Sequence, residues 1–255
     1  MKLRIEQISM ALGLIGISTL LIFARYGERD DVGQKEDFKD NYSIYSLPIP
    51  EHLDFAGEAV PLDDPQVVEA FDRELLVNTY WQSQTLLFIK RSARHFPTIE
   101  KILKENGVPV DFKYLPLVES GLTPIVSPAG AVGFWQIMES TGKQYGLEID
   151  REVDERYHVE KATRVACAYL KEAYAEFGSW TLAAASYNMG ISGLKKQMER
   201  QRENSYYALN LNPETARYVY RLLAVKEILE APEQYGFHVR AKDRYLPQET
   251  FTVKV

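Results

Sequence analysis

Hydrophobic residues recur at helical spacing through most of the chain between residues 65 and 230. Asp64-Pro65 opens the first pattern as an N-cap followed by a first-turn proline, and it predicts a helix that reaches about residue 95. Pro97 restarts a helix that stops at Asn106-Gly107, and Asp111 is placed to cap a third that reaches Glu119. The same spacing predicts helices over 159–177, 180–188 and 213–229. The predicted fold class is therefore mainly all-α.

The beginning of the chain has a different pattern. Lys2 and Arg4 precede an uncharged apolar stretch from Ile8 to Ala24, which is typical of a signal peptide or a membrane anchor. Residues 25–64 are polar, contain three prolines and lack a sustained period, so they predict a tether with at most one short ordered piece.

The end of the chain is also less regular than its centre. Residues 237–255 alternate weakly between apolar and polar positions, which predicts a short strand pair or a loose tail. The expected organisation is residues 1–24 as the signal or anchor, 25–64 as the tether, 65–236 as the helical domain and 237–255 as a C-terminal extension.

Composition excludes several kinds of function. A net charge of −6 and the lack of a Lys/Arg-rich stripe argue against nucleic-acid binding. The single Cys167 cannot form an intramolecular disulfide, and its apolar neighbours favour plain packing over reactivity. No metal site or other cofactor is predicted, because the four histidines are scattered along the chain: His52, His95, His158 and His238.

Glu119 is the strongest candidate for chemistry. It ends the apolar segment 114–118, and apolar surroundings favour the protonated form of a carboxyl group, as a general acid near neutral pH requires. The plainer alternative is an ion pair at a helix end. The small-residue loop that follows, with Gly130 and Gly133, favours chemistry because backbone there can approach a ligand closely.

Four sequence blocks together resemble the lytic transglycosylases, lysozyme-like enzymes with an SLT domain. They are Glu119-Ser120, the Ser-x-x-Gly-Ala-x-Gly-x-x-Gln block from Ser127 to Gln136, the Tyr-Asn-x-Gly block that begins at Tyr187, and Glu214-Thr-x-x-Tyr218. The resemblance covers about residues 65–236 and implies a lysozyme-like helical domain with a cleft. It also implies cleavage of peptidoglycan between N-acetylmuramic acid and N-acetylglucosamine without water, leaving 1,6-anhydro ends.

The same resemblance implies roles for individual residues. Glu119 is expected to donate a proton to the bridging oxygen and then to accept one from the C6 hydroxyl, while the substrate's acetamido group stabilises the charge. Substrate contacts are implied for Ser120, Ser127, Gln136, Met138, Tyr187, Asn188, Glu214 and Tyr218.

Several of these residues also have purely structural explanations. Asn188 would cap a helix before Gly190, and Glu214 and Tyr218, an i, i+4 pair, would hydrogen-bond each other. Loop and helix structure alone would account for Ser127, Gln136 and Met138. Phe134 and Trp135 are expected in the core rather than stacked on sugars.

Two alternative functions remain open at this point. In a water-using muramidase, Glu139 or Asp150 would be the second acid, and family members usually have proline where Glu139 stands. A glycan-binding protein that has lost the reaction is the other alternative. The expected partners are peptidoglycan glycan strands and, through the N-terminal segment, the membrane, which would place the protein in the periplasmic cell envelope.

Overall fold

The computed structural model describes residues 44–247, and the predicted signal or anchor lies outside them. Residues 46–239 and 243–247 belong to one compact unit, and residues 44–45 and 240–242 belong to a second. The described helices are α1 Pro65–Tyr80, α2 Gln82–Glu105, α3 Leu115–Ser120, α4 Glu139–Gln144, α5 Val159–Phe177, α6 Trp180–Met189, α7 Ile191–Gln201 and α8 Pro213–Glu230. The prediction of a mainly α-helical fold is confirmed. None of the helices in residues 44–247 is long and apolar enough to cross a membrane.

The hydrophobic core surrounds α6. Its small side chains, Ala183 to Ala185, are fully buried and allow α5 and α8 to pack closely on either side. Gly178 in the left-handed conformation ends α5, and the Ser179 hydroxyl accepts a hydrogen bond from Leu182 N to begin α6. The predicted boundary between these two helices is confirmed.

The first helices differ from the prediction. The chain breaks at Trp81, where φ is −84° and ψ is 57°, and α2 then continues through Pro97 to Glu105 instead of stopping near residue 95. Pro97 lacks a backbone N–H, so the helix loses one hydrogen bond there. The helix continues because Ile99, Ile102 and Leu103 on its apolar face remain buried in the core. Packing therefore outweighs the local preference to end the helix.

A small antiparallel hairpin, β1 Asp54–Phe55 and β2 Glu58–Ala59, lies in the segment predicted as a tether. Phe55 is fully buried, with its ring edge-to-face on Phe112 at 5.2 Å. Asp111 does not cap α3 as predicted, because its carboxylate accepts a hydrogen bond from Ala56 N and pairs with Lys226. At least residues 53–60 are thus part of the folded body.

The chain after α8 forms short 3-10 turns at Pro232–Tyr235 and Ala241–Asp243. Residues 237–247 contain no strand, and the remaining part of the predicted C-terminal strand pair lies outside the described residues. The predicted domain boundaries at 24, 64 and 236 remain predictions.

Candidate active site

A cleft of about 590 Å³ opens between α1, α2, α3 and α8. Glu119 lies in its wall, and of the other predicted site residues Ser120 and Glu214 also line it. The α1–α2 side contributes Glu74, Val77, Asn78, Trp81, Gln84 and Phe88, and α8 contributes Arg217, Arg221 and Val225. Ser127, Gln136, Met138, Tyr187 and Asn188 do not line this cleft.

Glu119 stands near the end of α3, a two-turn helix. Pro116 lies in its first turn, and Gly121 ends it in the left-handed conformation, with Gly121 N donating to Leu117 O. The carboxyl keeps some exposure to the cleft, but protein atoms surround most of it. Burial raises the pKa of Glu119; a hydrogen bond from Tyr218 and the charge of Arg221 lower it, and the charge of Glu214 raises it. Because the pKa is raised in sum, the environment favours a protonated Glu119.

Tyr218 contacts Glu119 rather than Glu214. Its fully buried hydroxyl donates a hydrogen bond to Glu119 Oε1, although 99 residues separate the two. Glu214 instead accepts a hydrogen bond from Asn188 Nδ2 at 2.8 Å, and Asn188 Oδ1 accepts one from Thr215 at 2.7 Å. The predicted bond between Glu214 and Tyr218 is therefore wrong, since both side chains are committed elsewhere. Asn188 joins α6 to α8.

Tyr187 links α6 to the loop before α4. Its hydroxyl donates to Trp135 O at 2.9 Å, and its ring lies edge-to-face on Tyr169 at 5.3 Å. Burial raises the pKa of Tyr187, and the negative charge of Glu119 raises it further. The phenol therefore stays protonated close to the acid.

The loop from Ser127 to Gln136 is held by its own backbone. Ser127 Oγ accepts from Ala131 N at 3.0 Å, and Gln136 Nε2 donates to Gly133 O at 2.7 Å and Ile125 O at 3.1 Å. A Cβ on Gly133, whose φ is +80°, would lie 2.2 Å from Arg156 O. Only glycine fits at this position, so packing against Arg156 explains why the motif has a glycine here.

The other predicted site residues have distinct surroundings. Ser120 is buried, and its hydroxyl lies 2.8 Å from Phe134 O and 3.0 Å from Pro116 O, which joins α3 to the loop. Met138 is exposed at the N-cap of α4. The core assignment of Phe134 and Trp135 is confirmed, because Trp135 is fully buried and donates from Nε1 to Thr163.

Glu139 and Asp150 lie outside the cleft on the protein surface. Glu139 pairs with Lys143 at 2.6 Å, and the hydrogen bond and charge of Lys143 lower the pKa of its carboxyl. Asp150 accepts hydrogen bonds from Glu152 N and Val153 N at 2.8 Å, and these lower its pKa. Neither has the position of a second acid beside Glu119.

The cleft contains functional candidates that the sequence did not reveal. Glu74 is almost fully buried and pairs with Arg217 at 2.7 Å, and Arg221 lies beside Glu119 with its guanidinium 3.3 Å from Val118 O. Both arginines project from α8 one turn apart, on the same side as Glu214. The sequence does contain a signal for this grouping: Glu214, Arg217 and Arg221 are spaced three and four residues apart, which places them on one face of a helix.

Other reactive side chains lie away from the cleft. Cys167 is buried in α5, and burial raises the pKa of its thiol to about 12. Within residues 44–247, no three His, Cys, Asp or Glu side chains come together as a metal-binding group.

Comparisons with known proteins agree with the motif blocks. Two curated relatives are the membrane-bound lytic murein transglycosylases D of Escherichia coli K12 and of Escherichia coli O6:H1. Each is 30% identical over 198 residues, which cover 74% of this chain and 43% of the relative. The chain thus spans less than half the length of the curated relatives it matches.

A solved structure of lytic transglycosylase Slt from Pseudomonas aeruginosa is similar over 61% of this chain and 27% of that chain, with 22% identity and a TM-score of 0.45. Residues 96–210 match the family model described as the transglycosylase SLT domain, and they include Glu119, the loop to Gln136 and the Tyr187-Asn188 block. The chain therefore contains a transglycosylase SLT domain.

Proposed function

We propose that this protein is a peptidoglycan lytic transglycosylase with Glu119 as its catalytic acid and base. The observation that supports the proposal best is the difference between the environments of the three carboxyl groups in the cleft. Among the described residues, Glu74, Glu119 and Glu214 line it. Glu74 is ion-paired with Arg73 and Arg217, and Glu214 accepts a hydrogen bond from Asn188, whereas burial raises the pKa of Glu119. Glu119 is the group suited to donate a proton.

In the proposed reaction, Glu119 protonates the oxygen that bridges N-acetylmuramic acid and N-acetylglucosamine, and the bond from this oxygen to the anomeric carbon breaks. The acetamido group of the muramic acid stabilises the positive charge. The ionised Glu119, which Tyr218 and Arg221 stabilise, then accepts the proton of the C6 hydroxyl as that oxygen attacks the same carbon. The products are a free 4-hydroxyl and a 1,6-anhydro end.

The remaining site residues fall into two groups in this proposal. Ser120, Tyr187, Asn188 and Tyr218 position the acid and the walls around it, while Glu214 faces the substrate from α8. Substrate contacts of Ser127, Gln136 and Met138 would occur beyond the cleft described above. The cell envelope is the proposed location, since the substrate class is found there.

Product analysis tests the reaction. Purified sacculi are incubated with the wild type, with Glu119→Gln and with the surface control Glu139→Gln, and the soluble muropeptides are identified by mass spectrometry. We expect anhydro ends from the wild type and the control, and none from Glu119→Gln. Hydrated reducing ends would indicate a muramidase, and binding to sacculi without release of muropeptides would indicate a glycan-binding protein. Either result would refute the proposal.

A further inference from the structure

Trp81 is an exposed aromatic side chain in the wall of the cleft. It exposes 63% of its surface, whereas Trp135 is fully buried and Trp180 is half-buried and stacked on Tyr174. Leaving an indole ring in water forgoes the stabilisation that burial of a large apolar surface gives. A tryptophan in this position is therefore better explained by a ligand than by the fold.

The backbone fixes Trp81 at a rigid corner. It is the residue between α1 and α2, and its N–H donates to Val77 O at 2.9 Å while its carbonyl accepts from Gln84 N at 3.1 Å. A third hydrogen bond, from the Thr85 hydroxyl to Asn78 O, joins the two helices across this corner. Because the backbone at Trp81 is already ordered, little backbone freedom is lost when this residue binds a ligand.

The position of Trp81 relative to the acid follows from α2. Gln84 and Phe88 lie against Gly121, two residues after Glu119, such that a Cβ on Gly121 would be 3.3 Å from each. Trp81 precedes Gln84 by three residues, which is about 5 Å along the helix axis. Trp81 therefore lies in the wall of the same cleft as Glu119, about one helical turn away from the residues that contact the end of α3.

The surroundings of Trp81 suit a neutral, amphipathic ligand. Val77 and Ile125 expose apolar surface at 42% and 43%, and Asn78 and Gln84 bring amide groups to the same wall. Arg217, which also lines the cleft, is paired with Glu74, a carboxylate that it shares with Arg73. Apolar faces with amide donors and acceptors match an N-acetylhexosamine ring, which has apolar C–H faces, hydroxyls and an acetamido group.

We propose that Trp81 is the stacking platform for an N-acetylhexosamine ring in a subsite adjacent to the cleaved bond. This inference rests on the proposed function and adds a specificity-determining residue to it. Trp81 acts in binding and leaves the chemistry at Glu119 unchanged.

The role of Trp81 can be tested by measuring the binding of a sugar oligomer to a catalytically inactive variant. The Glu119→Gln protein is titrated with the tetramer of N-acetylglucosamine, and the Kd is measured by calorimetry alongside the tryptophan emission. We expect an emission change on binding, and a Kd about tenfold weaker when Trp81→Ala is added, as loss of an aromatic stacking partner predicts. Trp81→Phe should recover most of the affinity, and Tyr157→Ala, which removes an exposed aromatic outside the cleft lining, should leave the Kd unchanged.

Digestion of sacculi separates this inference from the proposed function. With Glu119 intact, Trp81→Ala should raise KM and leave kcat and the anhydro products unchanged, with an unaltered thermal transition. An unchanged Kd for the tetramer, or a loss of affinity confined to muropeptides that bear stem peptides, would overturn the role of Trp81. If the wild type itself produced no anhydro ends, the proposed function would fail whatever the tetramer titration showed.

Discussion

The change Glu58→Gln tests whether the hairpin holds the helix that carries Tyr187 and Asn188. Glu58 lies in β2, and its carboxylate accepts hydrogen bonds from Trp180 N, Thr181 N and the Ser179 hydroxyl, all at the start of α6. It thus satisfies backbone N–H groups that a helix start leaves without partners and places a negative charge at the positive end of the helix dipole. Glutamine has the same shape but only one acceptor oxygen and no charge.

The expected loss of stability follows from these contacts. Hydrogen bonds to charged groups contribute about 1.5–3 kcal/mol each, and the substituted glutamine would retain part of this, so we expect a net loss of about 2 kcal/mol. For a protein of this size, Tm should fall by about 4–8 °C, at about 2–4 °C per kcal/mol.

The stabilisation by Glu58 is expected to depend on pH in a defined direction. Burial alone would raise the pKa of Glu58, but the hydrogen bonds from Thr181, Ser179 and Trp180 outweigh it and lower the pKa. The stabilisation is therefore fully present above the unfolded-state pKa of about 4.3 and is lost as the pH falls through the lower folded-state pKa. The Tm difference between wild type and variant should shrink on acidification.

Thermal melts followed by circular dichroism between pH 3 and pH 8 measure both effects. The control is Glu139→Gln, which removes an equivalent charge from an exposed ion pair and should change Tm little. A Glu58→Gln protein as stable as the wild type at pH 7, or a Tm difference that grows on acidification, would refute the reasoning.

Three further variants test the site. Tyr218→Phe removes a hydrogen-bond donor that lowers the pKa of Glu119. The alkaline limb of the pH–rate profile should therefore move to higher pH, and kcat should fall about tenfold. An alkaline limb at the wild-type pH would contradict this. Glu119→Gln should abolish activity yet raise Tm at pH 7, with the gain in Tm vanishing below about pH 4. The reason is that a carboxyl whose pKa is higher in the folded than in the unfolded state destabilises the protein as the pH rises above the unfolded-state pKa. Equal Tm values for wild type and variant at pH 7 would contradict this. Gly133→Ala should destabilise by about 1–3 kcal/mol or more in denaturant titrations, and more than Gly130→Ala, whose added Cβ meets nothing within 4 Å.

The helices were predictable from the sequence where one apolar face continues up to a clear stop, as in α5, which ends at Gly178. The break at Trp81 was not, because no glycine or proline marks it and only packing between α1 and α2 requires it. One short ordered piece was expected within residues 25–64, but the hairpin at residues 54–59 could not be located. Its few apolar side chains form too short a run to show a period, and it packs against distant residues such as Phe112.

The candidate acid was predictable because the apolar segment before Glu119, the small-residue loop after it and the later motif blocks point to the same residue. Its partner was not: local spacing suggested Glu214 for Tyr218, whereas the fold assigns Glu119. Hydrogen bonds between residues 99 positions apart depend on the packing of α8 against α3, which no local pattern encodes. Glu74 has no signal in the sequence either, because its pairing with Arg217 depends on the packing of α1 against α8.

The long sequence separation between Glu119 and Tyr218 also affects how the protein is made. A chain emerging from the ribosome presents the acid about a hundred residues before the hydroxyl that holds it. The Asn188 link to α8 becomes complete at Thr215, shortly before Tyr218 is added, and the Lys226 contact with Asp111 becomes possible shortly after it. The partially synthesised chain therefore contains the proton donor without the structure that tunes its pKa, and the complete site can form only after residue 218 has been added.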